Sequence, residues 1–173
     1  MDDSEKIMRE MGKAIERIKA RNDYKTRMDS EVELMQKERA EKYKDFLPWY
    51  LAPNPYREVK SYDEIFKLDH MLTEAQIPFI FKRQPDMNGF QICYPVYGHD
   101  RLCSVILHDG SYGREQGLLE IMGLLMPWED GDDVLGYLTA EDVFQRIKAH
   151  YEGKWEELVA ARKEKEDIHD DEI

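Results

Sequence analysis

Residues 77–109, "IPFIFKRQPDMNGFQICYPVYGHDRLCSVILHD", hold three apolar runs separated by two turn signals. The first run, Ile77 to Lys82, ends at Pro85-Asp86-Met87-Asn88-Gly89, where Asn-Gly supplies the positive φ angles of a tight hairpin turn. The second run places Phe90, Ile92, Tyr94 and Val96 on one face by strict alternation. Tyr97-Gly98-His99-Asp100-Arg101 then reverses the chain, and Leu102 to His108 forms the third run. The pattern predicts a three-stranded antiparallel sheet, with Tyr94 opposite Val105. That register turns Cys93 and Cys103 to opposite faces, and with no C-x-x-C pair in the chain it predicts two reduced structural thiols.

Upstream, Ser61 with Glu64 three residues on has the spacing of a capping box. The helix it opens buries Ile65, Leu68, Leu72 and Ala75 and stops before Pro78. Downstream, Gly110, Gly113 and Gly117 end the third strand and lead into a short helix through Leu125, closed by Pro127. An acidic loop follows, Glu129-Asp130-Gly131-Asp132-Asp133. The last helix of the body starts at Thr139, which caps the amide of Asp142, and turns Val143, Phe144, Ile147 and Tyr151 inward. Residues 61–153 therefore form an α-β-β-β-α-α body, and 154–173 a charged helical tail anchored by Trp155 and Leu158.

Residues 1–47 form a helical arm free of proline before Pro48. Met8, Met11, Ile15 and Ile18 step by three and four along one helix face. The seam falters at Asn22 and Lys25 and resumes, out of register, at Met28, Val32 and Met35. Either two helices meet near Asn22-Asp23, or one long helix carries a stripe that drifts around its axis. A proline and aromatic linker, 48–60, separates arm from body, and its Trp49, Tyr50 and Tyr56 are of the types that anchor interfaces. The expected class is α+β: a long N-terminal helical arm, a helix, a three-stranded antiparallel sheet and two C-terminal helices, with a core independent of residues 1–45.

The net charge of −12 is unevenly spread. Residues 1–60 hold 14 basic against 13 acidic side chains, residues 61–153 hold 7 against 16, and residues 154–173 hold 4 against 8. An acidic body repels phosphate backbones and attracts basic partners. Within the arm, Lys13, Arg17, Lys19, Arg21, Lys25 and Arg27 face only Glu16 and Asp23, a local excess suited to following a nucleic-acid backbone. The opening Met1-Asp2-Asp3-Ser4-Glu5 lacks an apolar stretch behind a basic start, and no run approaches the ~20 apolar residues of a membrane span, so a cytoplasmic protein without membrane contact is expected.

No segment carries a strong catalytic or metal motif, and no cofactor or metal is expected. His108-Asp109-Gly110-Ser111-Tyr112-Gly113 could offer backbone amides to an anion, but lacks the Gly-Lys-Ser/Thr ending of a P-loop. His70 and Glu74 lie one helical turn apart without a second histidine, and Asp130, Asp132 and Asp133 lack the ligand alternation of an EF-hand. The helix, three strands, helix order is that of double-stranded-RNA-binding domains. Here, however, Glu141 and Asp142 stand at the helix end where phosphates would dock.

The stretches "MLTEAQIPF", "CSVILHDGSYG", "LLEIMGLL" and "GYLTAEDVFQRI" resemble a group of small, functionally unassigned phage and prophage proteins of Firmicutes. The resemblance covers the body and leaves out the arm. It implies an accessory phage protein of the host bacterial cytoplasm, of a kind that includes anti-CRISPR inhibitors. The expected activity is inhibition, without catalysis, of a host defence nuclease or its ribonucleoprotein. The acidic residues Asp130, Asp132, Asp133, Glu141 and Asp142 would face protein, and Arg17, Arg21, Lys25 and Arg27 would contact RNA. The alternatives are an enzyme acting on a phosphorylated ligand or RNA at the His108 to Gly113 loop, and an adaptor whose arm pairs with a second copy as a coiled coil.

Overall fold

The computed structural model describes residues 3–45, 58–129 and 133–170. Its first element, α1 (Asp3–Lys42), is one uninterrupted helix, about 60 Å long at 1.5 Å per residue. Next come α2 (Asp63–Glu74), β1 (Ile80–Gln84), β2 (Gly89–Tyr94), β3 (Cys103–Leu107), β4 (Leu119–Met122), β5 (Val134–Leu138), α3 (Ala140–Tyr151) and α4 (Trp155–Asp170). The five strands form one antiparallel meander in chain order. The α+β class with a long N-terminal helix stands, but the sheet has five strands where three were expected.

The extra pair comes from two segments that sequence pattern misreads. The apolar run around "LLEIMGLL" fits a helix face, yet it is the strand β4. Only four residues lie in the ladder, and Gly123 just beyond it adopts φ +85, where an added Cβ would strike the Leu102 carbonyl oxygen at 2.2 Å. Strand β5 is masked in the sequence by Gly136 at its centre, which is there because Tyr112 Cβ would lie 2.3 Å from any Cβ at that position. The β1–β2 connection also differs from a two-residue turn. Gln84 pairs with Gly89, the intervening residues form a 3-10 turn, Pro85–Met87, and only Asn88 is left-handed, at φ 54.

Register sorts the two faces. Phe81, Ile92, Val105, Ile121 and Leu135 stand directly opposite one another across all five strands. With Phe90, Leu107 and Leu119 they meet Ile65, Phe66, Leu68 and Leu72 of α2 and Val143 and Ile147 of α3 in one core. Tyr94 pairs with Cys103, two residues from the expected partner Val105. A shift of two keeps the faces, so the buried thiols of Cys93 and Cys103 still point apart and are free. Burial pushes both thiols up, Cys103 to about 12. Across the opposite face Gln84 donates to Gln91, which donates to Ser104, each bond at 2.7 Å.

The arm is not separate from the body. Met35 is fully buried in the core, and Tyr24, Met28 and Val32 pack against it. Arg83 of β1 binds both Glu31 and Glu38 of α1 at 2.8 Å, and Arg39 donates to the carbonyl oxygens of Pro85 and Asp86. The core expected to be independent of residues 1–45 therefore includes the second half of α1. The two apolar stripes of the arm are two faces of one helix. The first, up to Ile18, faces outward, and the second, from Tyr24, lands on the body.

The caps show one agreement and one exchange. Thr139 and Asp142 form the reciprocal capping box at α3. The box expected at α2 is absent: Ser61 Oγ receives the Asp63 amide at 3.1 Å, while Glu64 reaches across to accept the backbone amide of Ala140. A carboxylate at that position satisfies an orphan donor and complements the helix dipole of α3, so Glu64 clamps α2 to α3. The tail is helical through Asp170 and follows α3 directly.

Candidate functional site

Where α1 leaves the body, Arg17, Arg21 and Tyr24 face Lys67 and His70 of α2 across a groove of about 280 Å³. Residues 17, 21 and 24 share one side of α1 because they step by four and three, and residues 67 and 70 share one side of α2 by a step of three. Tyr24 fixes the crossing. Its hydroxyl donates to the Asp63 carbonyl oxygen at 2.6 Å, and its ring meets Phe66 edge-on at 6.5 Å and His70 at 6.0 Å. Burial, reinforced by Asp63, Glu64 and Asp69, pushes the phenol far above its ordinary pKa, so Tyr24 remains neutral and protonated.

Of the acidic neighbours of the groove, only Asp69 is paired with a cation among the described residues, and Asp63 and Glu64 keep their charge while bonding within the fold. Asp69 is buried and pairs with Arg27 at 2.9 Å, Glu64 holds the Ala140 amide, and Asp63 accepts from Ser61 at 2.6 Å. The groove thus gathers basic side chains from two helices beside the Tyr24 and His70 rings. That is the chemistry by which single-stranded nucleic acids are held: cations along the phosphates and aromatic planes for bases.

The arm cations named from sequence divide here. Arg17 and Arg21 line the groove. Lys25 is exposed outside it. Arg27 is turned to the body, where its guanidinium pairs with Asp69 and lies 5.4 Å from the centroid of the Phe81 ring, so it holds the fold together. Lys67 and His70 were missed as partners because nothing in sequence spacing brings α2 against residues 17–24. The one available signal was Tyr24, an aromatic residue in a charged stretch.

Of the acidic residues, Asp133 and Glu141 are exposed, while Asp142 Oδ2 accepts from Thr139 Oγ1 at 2.7 Å within the cap. Asp133 precedes β5 and Glu141 follows it, so a strand about 16 Å long at ~3.3 Å per residue stands between them. Asp130 and Asp132 lie outside the described residues, as do Trp49, Tyr50 and Tyr56 of the linker.

Four backbone amides of the His108 to Gly113 loop are bonded within the fold. Asp109 donates its amide to Met87 O, Ser111 to His108 O, Gly110 to His108 Nδ1 and Tyr112 to Glu120 Oε2, at 2.7 to 3.0 Å. These four amides, which a phosphate-binding loop would need free, therefore serve the fold. Among the described residues no group of three or more His, Cys, Asp or Glu side chains is placed to hold a metal ion, and no helix is long and apolar enough to cross a membrane. Comparison with protein-family models, curated proteins and solved structures finds no match for this chain.

Proposed function

We propose that this protein is a non-enzymatic binding protein that docks on a nucleic-acid-bearing protein, seating a phosphate-bearing strand in the groove between α1 and α2 while the acidic body faces basic protein surface. The observation that carries this reading is the meeting of Arg17 and Arg21 with Lys67 and His70 around Tyr24, on a chain whose net charge is −12. Away from the groove a free nucleic acid meets repulsion, so RNA alone binds weakly and only through the groove. A ribonucleoprotein presents both signs and fits both regions. The narrower reading is inhibition, by protein–protein contact, of a host defence nuclease of the kind that anti-CRISPR proteins target. What supports it is the fit of an RNA-loaded nuclease to both signs, together with the resemblance of the body's sequence to phage proteins.

The test is affinity capture from a Firmicute lysate on the immobilised full chain, comparing the wild type with the double variant Arg21→Glu, Lys67→Glu, before and after ribonuclease treatment. Both side chains are exposed, so the variant is expected to fold. Capture of a basic, RNA-bearing protein should fall with the variant and with ribonuclease. Capture indifferent to both treatments contradicts the groove's role.

A further inference from the structure

The outward stripe of α1 is a surface that the docking proposal leaves unused. Ile7, Met8, Met11, Ile15 and Ile18 are 51 to 70% exposed. Met8, Met11, Ile15 and Ile18 lie about a third of a turn around the axis from the side that lands on the body, at 3.6 residues per turn. Met8, Met11, Ile15 and Ile18 keep the three-four spacing of a coiled-coil seam. Gly12 sits beside that seam inside a helix, where glycine is unfavourable, and a Cβ added there would meet nothing within 4 Å. Nothing among the described residues explains its lack of a side chain.

The geometry points to a second copy of this chain, paired antiparallel through residues 5–21 about a two-fold axis near residue 13. In that arrangement Met8 stacks on the partner's Ile18, and Met11 on the partner's Ile15. Gly12 and Ala14 flank the axis and meet their own copies, which lets the two backbones approach closely. Glu5 comes opposite the partner's Lys19, and the symmetry makes that opposite-charge contact twice. Parallel pairing loses these features: it sets Ala14 against the partner's Lys19 and drives Lys25 against the partner's Lys25 in the seam. Antiparallel pairing also leaves the two bodies at opposite ends of the rod, where they do not collide. The paired segment is about 25 Å long. It buries roughly 1,000 Å² in total, at the small end of specific interfaces, so a weak dimer that forms only as concentration rises is expected.

Sedimentation equilibrium of the full chain from about 5 to about 500 µM is the test, with thermal melts to confirm that each variant folds. The wild type is expected to pass from monomer to dimer over this range. Ile15→Asp, on a residue half exposed and remote from the body, should leave the melt unchanged and abolish dimerisation. Glu5→Lys should weaken the dimer about tenfold, and the double variant Glu5→Lys, Lys19→Glu should restore it. A chain that stays monomeric throughout, or a dimer that survives Ile15→Asp, overturns the proposal. Failure of the charge swap to restore association overturns the antiparallel order.

Discussion

His108 shows how one buried residue ties the sheet's end to solution conditions. It is only 8% exposed, burial draws its pKa below the ordinary imidazole value, and Nδ1 must be unprotonated to accept the Gly110 amide. Above about pH 6.5 both folded and unfolded chains carry a neutral ring. Below it the unfolded chain takes up a proton that the folded chain refuses, so stability falls as pH drops toward the folded pKa, by at most about 1.4 kcal/mol per unit. His108→Asn keeps an acceptor near the Nδ1 position and removes the titration. Urea midpoints between pH 7 and 5 should therefore show the wild type losing more stability than the variant. Parallel curves would mean that His108 titrates alike in both states.

At the scale of elements, α1 has two parts with different duties, and truncation separates them. Removing residues 1–19, whose described side chains (5–19) are all exposed, should leave urea unfolding within about 0.5 kcal/mol of the full chain. Removing residues 1–45 withdraws Met35, Tyr24, Met28 and Val32 from the core. The loss of Met35 alone is worth about 2–4 kcal/mol, enough with the others to unfold a domain of ordinary stability. Circular dichroism of the two fragments decides, and a cooperatively folded 46–173 fragment would contradict the packing of the arm. Much of this was legible in sequence. The stripe at Met28, Val32 and Met35 and its change of register are plain in the sequence, but a one-dimensional pattern does not say which of two faces finds a core. Strands β1 to β3 were legible because alternation and turn residues agreed. Strands β4 and β5 were not, because Gly136 and the apolar run around Leu119 conceal alternation that only the neighbouring strand enforces. The groove was half legible: spacing brings Arg17 to Arg21, but only tertiary packing adds Lys67 and His70.

For the whole molecule the question is whether a strongly acidic protein uses a local cationic groove to hold a phosphate chain. Net charge argues against it, and the groove argues for it, because contact electrostatics act within a Debye length of about 8 Å while the body's more distant carboxylates are screened. The deciding measurement is fluorescence anisotropy of a short labelled single-stranded RNA titrated with the full chain from about 50 to about 200 mM salt. Three phosphate contacts, from Arg17, Arg21 and Lys67, predict that log K falls against log salt with a slope of about −2. The double variant Arg21→Glu, Lys67→Glu should lose most of the affinity and flatten the slope. RNA binding that is absent at low salt, or equal in wild type and variant, would contradict the account.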